Sequence, residues 1–290
     1  MIGTLAHEFW RRKSVQNLFL RALSFTFIVA GSIFIAIPVA WMISTSLKTL
    51  GETFLFPPRW IPHEIRWDNY PRALTFIDYG HYLNNTLIIT ISAMIGQILS
   101  ASLVAFGFAR LRAPGRDFLF VVLLATLMLP YHVTLVPTYL LFRALGWLNT
   151  YLPLIVPSWL GGGAFFIFLL RQFFATLPLE LDDAARIDGA SLFDIYWRIM
   201  LPLSKPALAT VAIFSFFAHW NDFLGPLIYL SRERMYTLSL GLAFYVTTHG
   251  QVEWNLLMAA TLVTLLPPLI LFFTFQRAFV QGIALTGLKG

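Results

Sequence analysis

The acids of this chain are unevenly spread. Five of its fourteen Asp and Glu residues, Glu180, Asp182, Asp183, Asp188 and Asp194, fall between residues 171 and 205. Carboxylates at that density, beside the small pair Ala184-Ala185, suit ion pairing with a protein surface that approaches closely. A second group is His219, Asn221 and Asp222, inside an otherwise apolar stretch. An ionisable group in such a stretch usually faces protein or a water cavity. Three roles stay open for it: lining or gating a path, a hydrogen bond between helices, or solvation at a membrane interface. Covalent and metal chemistry finds little to work with. The chain has no cysteine, which excludes disulfides, Cys-ligated zinc, iron–sulfur clusters and a Cys nucleophile. Its six histidines are scattered, with no His-x-x-x-His pair. No catalytic residue and no metal site are expected.

The elements that must position these residues are apolar helices. Hydrophobic residues make up 58% of the 290 and charged ones 12%, against about 25% charge in an average soluble domain. A water-facing surface cannot be covered with that supply, so a soluble enzyme is excluded; so is a disordered chain, which needs low hydrophobicity and high charge. Six stretches reach the roughly 20 apolar residues needed to cross a bilayer: 22–47, 79–109, 118–142, 144–170, 206–231 and 254–276. They are continuously apolar rather than alternating, so helices are expected and a barrel is not. The first is too long for a signal peptide and lacks a clear small-x-small cleavage site, so it reads as a retained helix.

Lys and Arg set the orientation. Thirteen lie in segments 1–21, 110–117, 171–205 and 277–290, and seven on the other side. Both termini are therefore expected in the cytoplasm, with 1–21 and 277–290 flanking a membrane domain over 22–276. The Arg110–Arg116 turn, with Pro114-Gly115, reads as a topology determinant. Segment 48–78, rich in Trp, Pro and Tyr, reads as an ordered outer loop, either an aromatic anchor or a contact for an external partner.

The acidic segment between the fourth and fifth spans is long for a simple link. It reads as two short helices. Pro178 at the first helical position and acids in the first turn favour a helix from Glu180 to about Ile187. Gly189 stops it. Ser191-Leu-Phe-Asp194 is a capping-box pattern that opens a second helix. Leu192, Phe193, Tyr196, Trp197 and Met200 give that helix one greasy face, and Leu201-Pro202 ends it. An amphipathic helix lying on the membrane is the alternative reading. The small side chains at 184 and 185 and the tight glycine favour a compact elbow that another protein grips.

These residues resemble a known pattern. Asp183-Ala184-Ala185, three residues, Gly189, nine residues, then Ile199-x-Leu201-Pro202 is similar to the EAA motif of membrane subunits of ABC importers, with Asp183 where Glu is usual. The resemblance extends over nearly the whole chain: six spans, the outer-loop run Asn84-Asn85-Thr86, Trp220-Asn221-Asp222 and the ending Gly282–Gly290. It points to the maltose-type sugar permeases, and within them to the shorter six-helix partner of a heterodimer.

The resemblance implies an all-α membrane protein with the MetI-like permease fold and a cytoplasmic EAA coupling loop over 178–202. It implies a carbohydrate importer in a prokaryotic plasma membrane, built with a second, longer permease, two ATPase subunits and an external solute-binding protein. Coupling to the ATPases would fall to Glu180, Asp183, Ala184, Ala185, Asp188, Gly189, Phe193, Ile199, Leu201 and Pro202. The tail residues Thr286, Gly287 and Lys289 would reach the ATPases, unless they are a frayed end. ATP and Mg would sit on the partner subunits, and no cofactor on this chain; consistently, no Gly-x-x-x-x-Gly-Lys-[Ser/Thr] loop occurs. Related permeases handle glycerol 3-phosphate or polyols, the alternative substrates. A secondary transporter, which would show repeats and coupling carboxylates, is a more distant reading. Nucleic acid is not an expected partner.

Overall fold

The computed structural model describes the backbone over residues 2–247 and 252–287. The described residues form helices and their connections. Four helices are long and apolar enough to cross a membrane: Leu20–Ser46, Tyr79–Arg110, Leu152–Thr176 and Trp254–Gln276. Two bent pairs complete six if each counts as one span. The chain separates into two compact units, one of Met1–Ala73 with Glu253–Leu262 and one of Leu74–Val252 with Val263–Gly290.

In the first unit, α1 (Ile2–Ser46) is a 45-residue helix that presents Phe25, Phe27 and Phe34 outward. The segment after it is ordered by side chains that take up its main-chain groups. Asn69 Nδ2 donates to Ser46 O at 2.9 Å and to Lys48 O at 2.8 Å. Ser44 Oγ donates to Trp60 O, and Trp60 meets Trp41 edge-on at 5.1 Å. The Lys48 ammonium lies buried 4.0 Å over the Trp41 ring. Burial lowers its pKa, and the Glu52 charge partly opposes this.

The second unit is built on α2 (Tyr79–Arg110). It packs most extensively against the fourth span and the helix Lys205–Trp220. Asn84-Asn85-Thr86 was expected in an outer loop but lies within α2. Asn85 Nδ2 donates to Arg234 O at 3.0 Å and Tyr236 O at 2.9 Å, and Leu238 N–H donates to Thr86 Oγ1 at 2.8 Å. The run is a clamp that fastens α2 to the 234–238 segment.

Three expected spans differ from straight helices. The third is α3 (Arg116–Ala125), continued by a 3₁₀ turn to Met128, then α4 (Tyr131–Ala144), with a 100° bend between them. Pro130 disfavours helical geometry at Leu129, which is extended at ψ 113°. The fourth begins at Leu152 rather than Ala144, because Gly146 and Asn149 take positive φ. It comprises α5 (Leu152–Trp159) and α6 (Ala164–Thr176), divided at Gly161, Gly162 and Gly163, all of positive φ. Gln97 Nε2 of α2 donates to Gly162 O, and Trp159 Nε1 donates to Ser92 O at 3.1 Å. In an apolar environment such breaks persist only when neighbours re-satisfy the freed groups. The fifth is treated with the site.

A Cβ at Gly162 would lie 2.4 Å from the Ala101 backbone, at a φ of +63°. One at Gly80 meets open space within a helix. Gly162→Ala is therefore expected to lower the thermal midpoint in detergent by several degrees. Gly80→Ala should leave it unchanged or raise it, since Ala is favoured over Gly in helices by roughly 0.5–1 kcal/mol. Equal effects of the two substitutions would contradict the close approach of the fourth span to α2.

Candidate functional site

The acidic elbow has helices at the expected places. α7 is Glu180–Ile187, with Glu180, Asp182 and Asp183 in its first turn. Pro178 lies two residues before it, not at its first position, and Leu179 caps the start. Asp188 ends the helix and Gly189 turns the chain at φ +82°, a conformation that favours glycine. The Ser191 cap is formed in both directions: Asp194 N–H donates to Ser191 Oγ, and Ser191 N–H donates to Asp194 Oδ2, each at 3.2 Å. The Ser191 hydroxyl and amide hold the Asp194 carboxyl below the usual carboxylate range.

The second elbow helix is α8 (Leu192–Leu203), with Ile195–Met200 wound as a π-helix. Pro202 does not end it, as the sequence suggested. The helix continues to Leu203 and bends by 79° at Ser204 into α9 (Lys205–Trp220). Proline offers no N–H to the preceding turn, and the wider π winding before it accommodates that loss.

The greasy face of α8 divides in two. Tyr196 and Met200 are buried with Ile195, Ala185, Phe106, Leu170 and Phe174 in one cluster. Tyr196 OH lies 2.8 Å from Ser102 Oγ of α2. Leu192, Phe193 and Trp197 face outward, with the Phe193 and Trp197 rings stacked at 6.2 Å. The alanine pair divides likewise: Ala185 packs inward and Ala184 is open. Ile199 and Leu201 are half-buried, while Glu180, Asp188 and Pro202 are exposed. Ile187, 87% exposed, completes an open face of acids and apolar side chains.

Burial separates the acids. Asp183 is largely exposed and lies 3.9 Å from Arg186 on its own helix. Asp182 is buried, its Oδ2 3.6 Å from Nε of Arg110, whose side chain is 2% exposed. Arg110 Nη2 also donates to Phe174 O at 2.9 Å and Leu177 O at 2.8 Å, carbonyls at the end of α6. Sequence reasoning assigned Arg110 to topology and left Asp182 out of the site. The available signal was spacing: Asp182 stands three residues before Ala185, on the inward face of α7.

His219, Asn221 and Asp222 were expected within the fifth span. Only His219 is in the helix, because α9 stops at Trp220 and α10 (Leu224–Tyr229) begins after a break. His219 Nδ1 donates to Ser215 O at 2.8 Å, so in the neutral ring Nε2 accepts from Ser158 Oγ, 3.2 Å away. This is a hydrogen bond between helices. Asp222 Oδ1 accepts from Gly225 N–H at 3.0 Å and opens the next turn. Asn221 donates to Phe217 O at 2.9 Å and is exposed. At the tail, the Thr286 and Gly287 backbones are helical, and Lys289 lies outside the described residues.

The described residues thus form a multi-span helical unit with an acidic elbow before its fifth span. The family model described as "Binding-protein-dependent transport system inner membrane component" matches residues 97–285, and the chain belongs to this family. It is 33% identical over 264 residues to a diacetylchitobiose uptake system permease protein of Streptomyces coelicolor, covering 91% of this chain and 87% of that one. It is 37% identical over 248 residues to an arabinooligosaccharides transport system permease protein of Halalkalibacterium halodurans, covering 85% and 86%. It is 35% identical over 240 residues to an sn-glycerol-3-phosphate transport system permease protein of Yersinia pestis, covering 80% and 85%. A chain in the crystal structure of a bacterial ABC transporter involved in alginate import shares the fold: TM-score 0.79 at 22% identity, over 89% of this chain and 97% of that one. The chain is thus a multi-pass membrane permease, and the secondary-transporter alternative falls away.

Losing one partner of a buried ion pair costs about 3–5 kcal/mol, whereas an exposed pair is worth about 0–1 kcal/mol. Asp182→Ala is expected to lower the detergent melting midpoint clearly, and Asp183→Ala to leave it nearly unchanged. Equal midpoints for the two variants would contradict the burial of Asp182.

Proposed function

We propose that this chain is the shorter permease of a heterodimeric sugar importer, with the elbow as its ATPase-docking handle. The observation that carries this reading is the open face of α7 and α8. Asp183, Ala184, Ile187, Phe193 and Trp197 are exposed on a frame that Gly189, the Ser191 cap and the buried Tyr196 hold in shape. Apolar groups this exposed, mixed with carboxylates, suit a partner cleft with apolar walls and a basic residue for Asp183. In this reading the elbow and both termini face the cytoplasm, which the excess of Lys and Arg on that side supports. Two ATPase subunits grip the elbows and carry ATP and Mg. A second, longer permease shares the pathway, and an external binding protein delivers the substrate. A short oligosaccharide fits the named cargo of two of the three relatives. The path-lining role falls to Asn221, the member of its group with an exposed amide. Thr286, Gly287 and Lys289 are assigned to ATPase contact through their place after the last span.

The test is a reconstituted complex. The chain lacks cysteine, so a single Cys at Ile187 reports docking without interference. It is expected to cross-link to the ATPase subunit. Asp183→Ala and Gly189→Asp should insert normally, and each should cut uptake in proteoliposomes about tenfold, equivalent to about 1.4 kcal/mol of docking energy. For Gly189→Asp the cause is left-handed backbone strain of roughly 1–2 kcal/mol plus a new charge at the turn. Unchanged uptake in either variant would remove the coupling assignment. Uptake of glycerol 3-phosphate, with none of chito- or arabino-oligosaccharides, would replace the sugar reading.

A further inference from the structure

Among the described residues, the ion pair between Arg110 and Asp182 has both side chains almost wholly buried; every other pair is substantially exposed. It also joins more than two elements. Arg110 is the last residue of α2. Its Nη2 donates to Leu177 O and to Phe174 O, the latter also accepting from Leu177 N–H at the end of α6. Its Nε faces Asp182 in the first turn of α7. One guanidinium therefore ties together two span ends and the elbow.

The two halves of this junction differ in kind. Toward α6 the contacts are hydrogen bonds of 2.8 and 2.9 Å, directional and short. Toward the elbow the gap is 3.6 Å, neither Arg110 Nε nor Asp182 Oδ1 has a hydrogen-bond partner, and the hold is charge attraction. The low polarity of the site strengthens that attraction. A lysine at 110 would be a compact point charge without the planar fork that reaches both elements.

We infer that Arg110 and Asp182 are positioning residues of transport, the internal strut through which displacement of the elbow reaches α2 and α6. The inference rests on the elbow being the ATPase handle. Without the strut, the elbow still presents Asp183, Ile187, Phe193 and Trp197 to a partner, but its motion is absorbed locally. The strut governs the transmission of the stroke, not docking.

The test uses the whole reconstituted transporter and three readouts: Ile187→Cys cross-linking for docking, ATP hydrolysis, and a fluorophore on Gly80→Cys. Gly80 sits at the far end of α2 in open space. The probe is ATP with Mg, so no knowledge of the cargo is needed. In the parent complex, ATP is expected to change the fluorophore signal. Asp182→Asn and Arg110→Lys should keep the cross-link and keep hydrolysis within about twofold. The ATP-driven signal should fall about tenfold, within the range by which single residues alter coupling. Asp182→Glu, which keeps the charge, should retain most of it. Where Arg110→Lys does not insert, Asp182→Asn, the same size as the parent side chain, carries the test. A full signal in cross-linked Asp182→Asn overturns the strut and leaves docking intact. Loss of cross-link, hydrolysis and signal in proportion reduces the pair to structural support and overturns it as well. A parent complex that forms no Ile187 cross-link refutes the docking reading first, and the strut with it.

Discussion

A main-chain N–H or C=O in lipid must find a partner within the protein, since no water is there to supply one. This chain interrupts its helices at Leu129-Pro130, at Gly161–Gly163 and after Trp220, so the requirement falls hard on side chains. One helix answers much of it. Along α2, Asn85 and Thr86 take up the 234–238 backbone, the Ser92 carbonyl receives Trp159, Gln97 closes Gly162, Ser100 binds Ser158 O and Arg110 caps α6. The polar groups of α2 are its fastening points for the Gly161–Gly163 break, the 234–238 segment and the end of α6.

The elbow and the interrupted spans are held together in different ways. The elbow is closed by a glycine turn and a reciprocal cap, and it is backed by buried Ile195, Tyr196 and Met200. The Gly161–Gly163 break is met by the neutral hydrogen bond from Gln97 to Gly162 O, worth about 1 kcal/mol net, and the break after Trp220 by the Asp222 carboxylate on Gly225 N–H.

The large features were legible from composition and period. Six apolar stretches and the limits of α7 follow from hydropathy, first-turn acids and Gly189, because each is a local preference. The bends were less so. Pro130 lies inside the third expected span, which hydropathy alone draws as one continuous helix; the 100° bend is seen only in the structure. Trp220-Asn221-Asp222 looked helical because its flanks are apolar; Asp222 instead spends its carboxylate on Gly225 N–H and opens a turn. Division of α8 was hidden for another reason. A π-helix rotates the residues beyond it relative to a 3.6-residue period, so a face drawn at three- and four-residue spacing mixes buried Tyr196 and Met200 with exposed Phe193 and Trp197.

The acids show the same limit from the side of charge. Asp182 and Asp183 are adjacent and chemically identical, yet one is buried against Arg110 and the other projects into solvent. A helix advances about 100° per residue, so neighbours in sequence cannot share a face. Burial of Asp182 is tolerable only because Arg110, some seventy residues away in the chain, arrives with its charge already anchored to α6. The arginine cannot be spared for topology alone, and the two acids cannot exchange tasks. One binds the elbow to its own subunit, which leaves the other free for a partner.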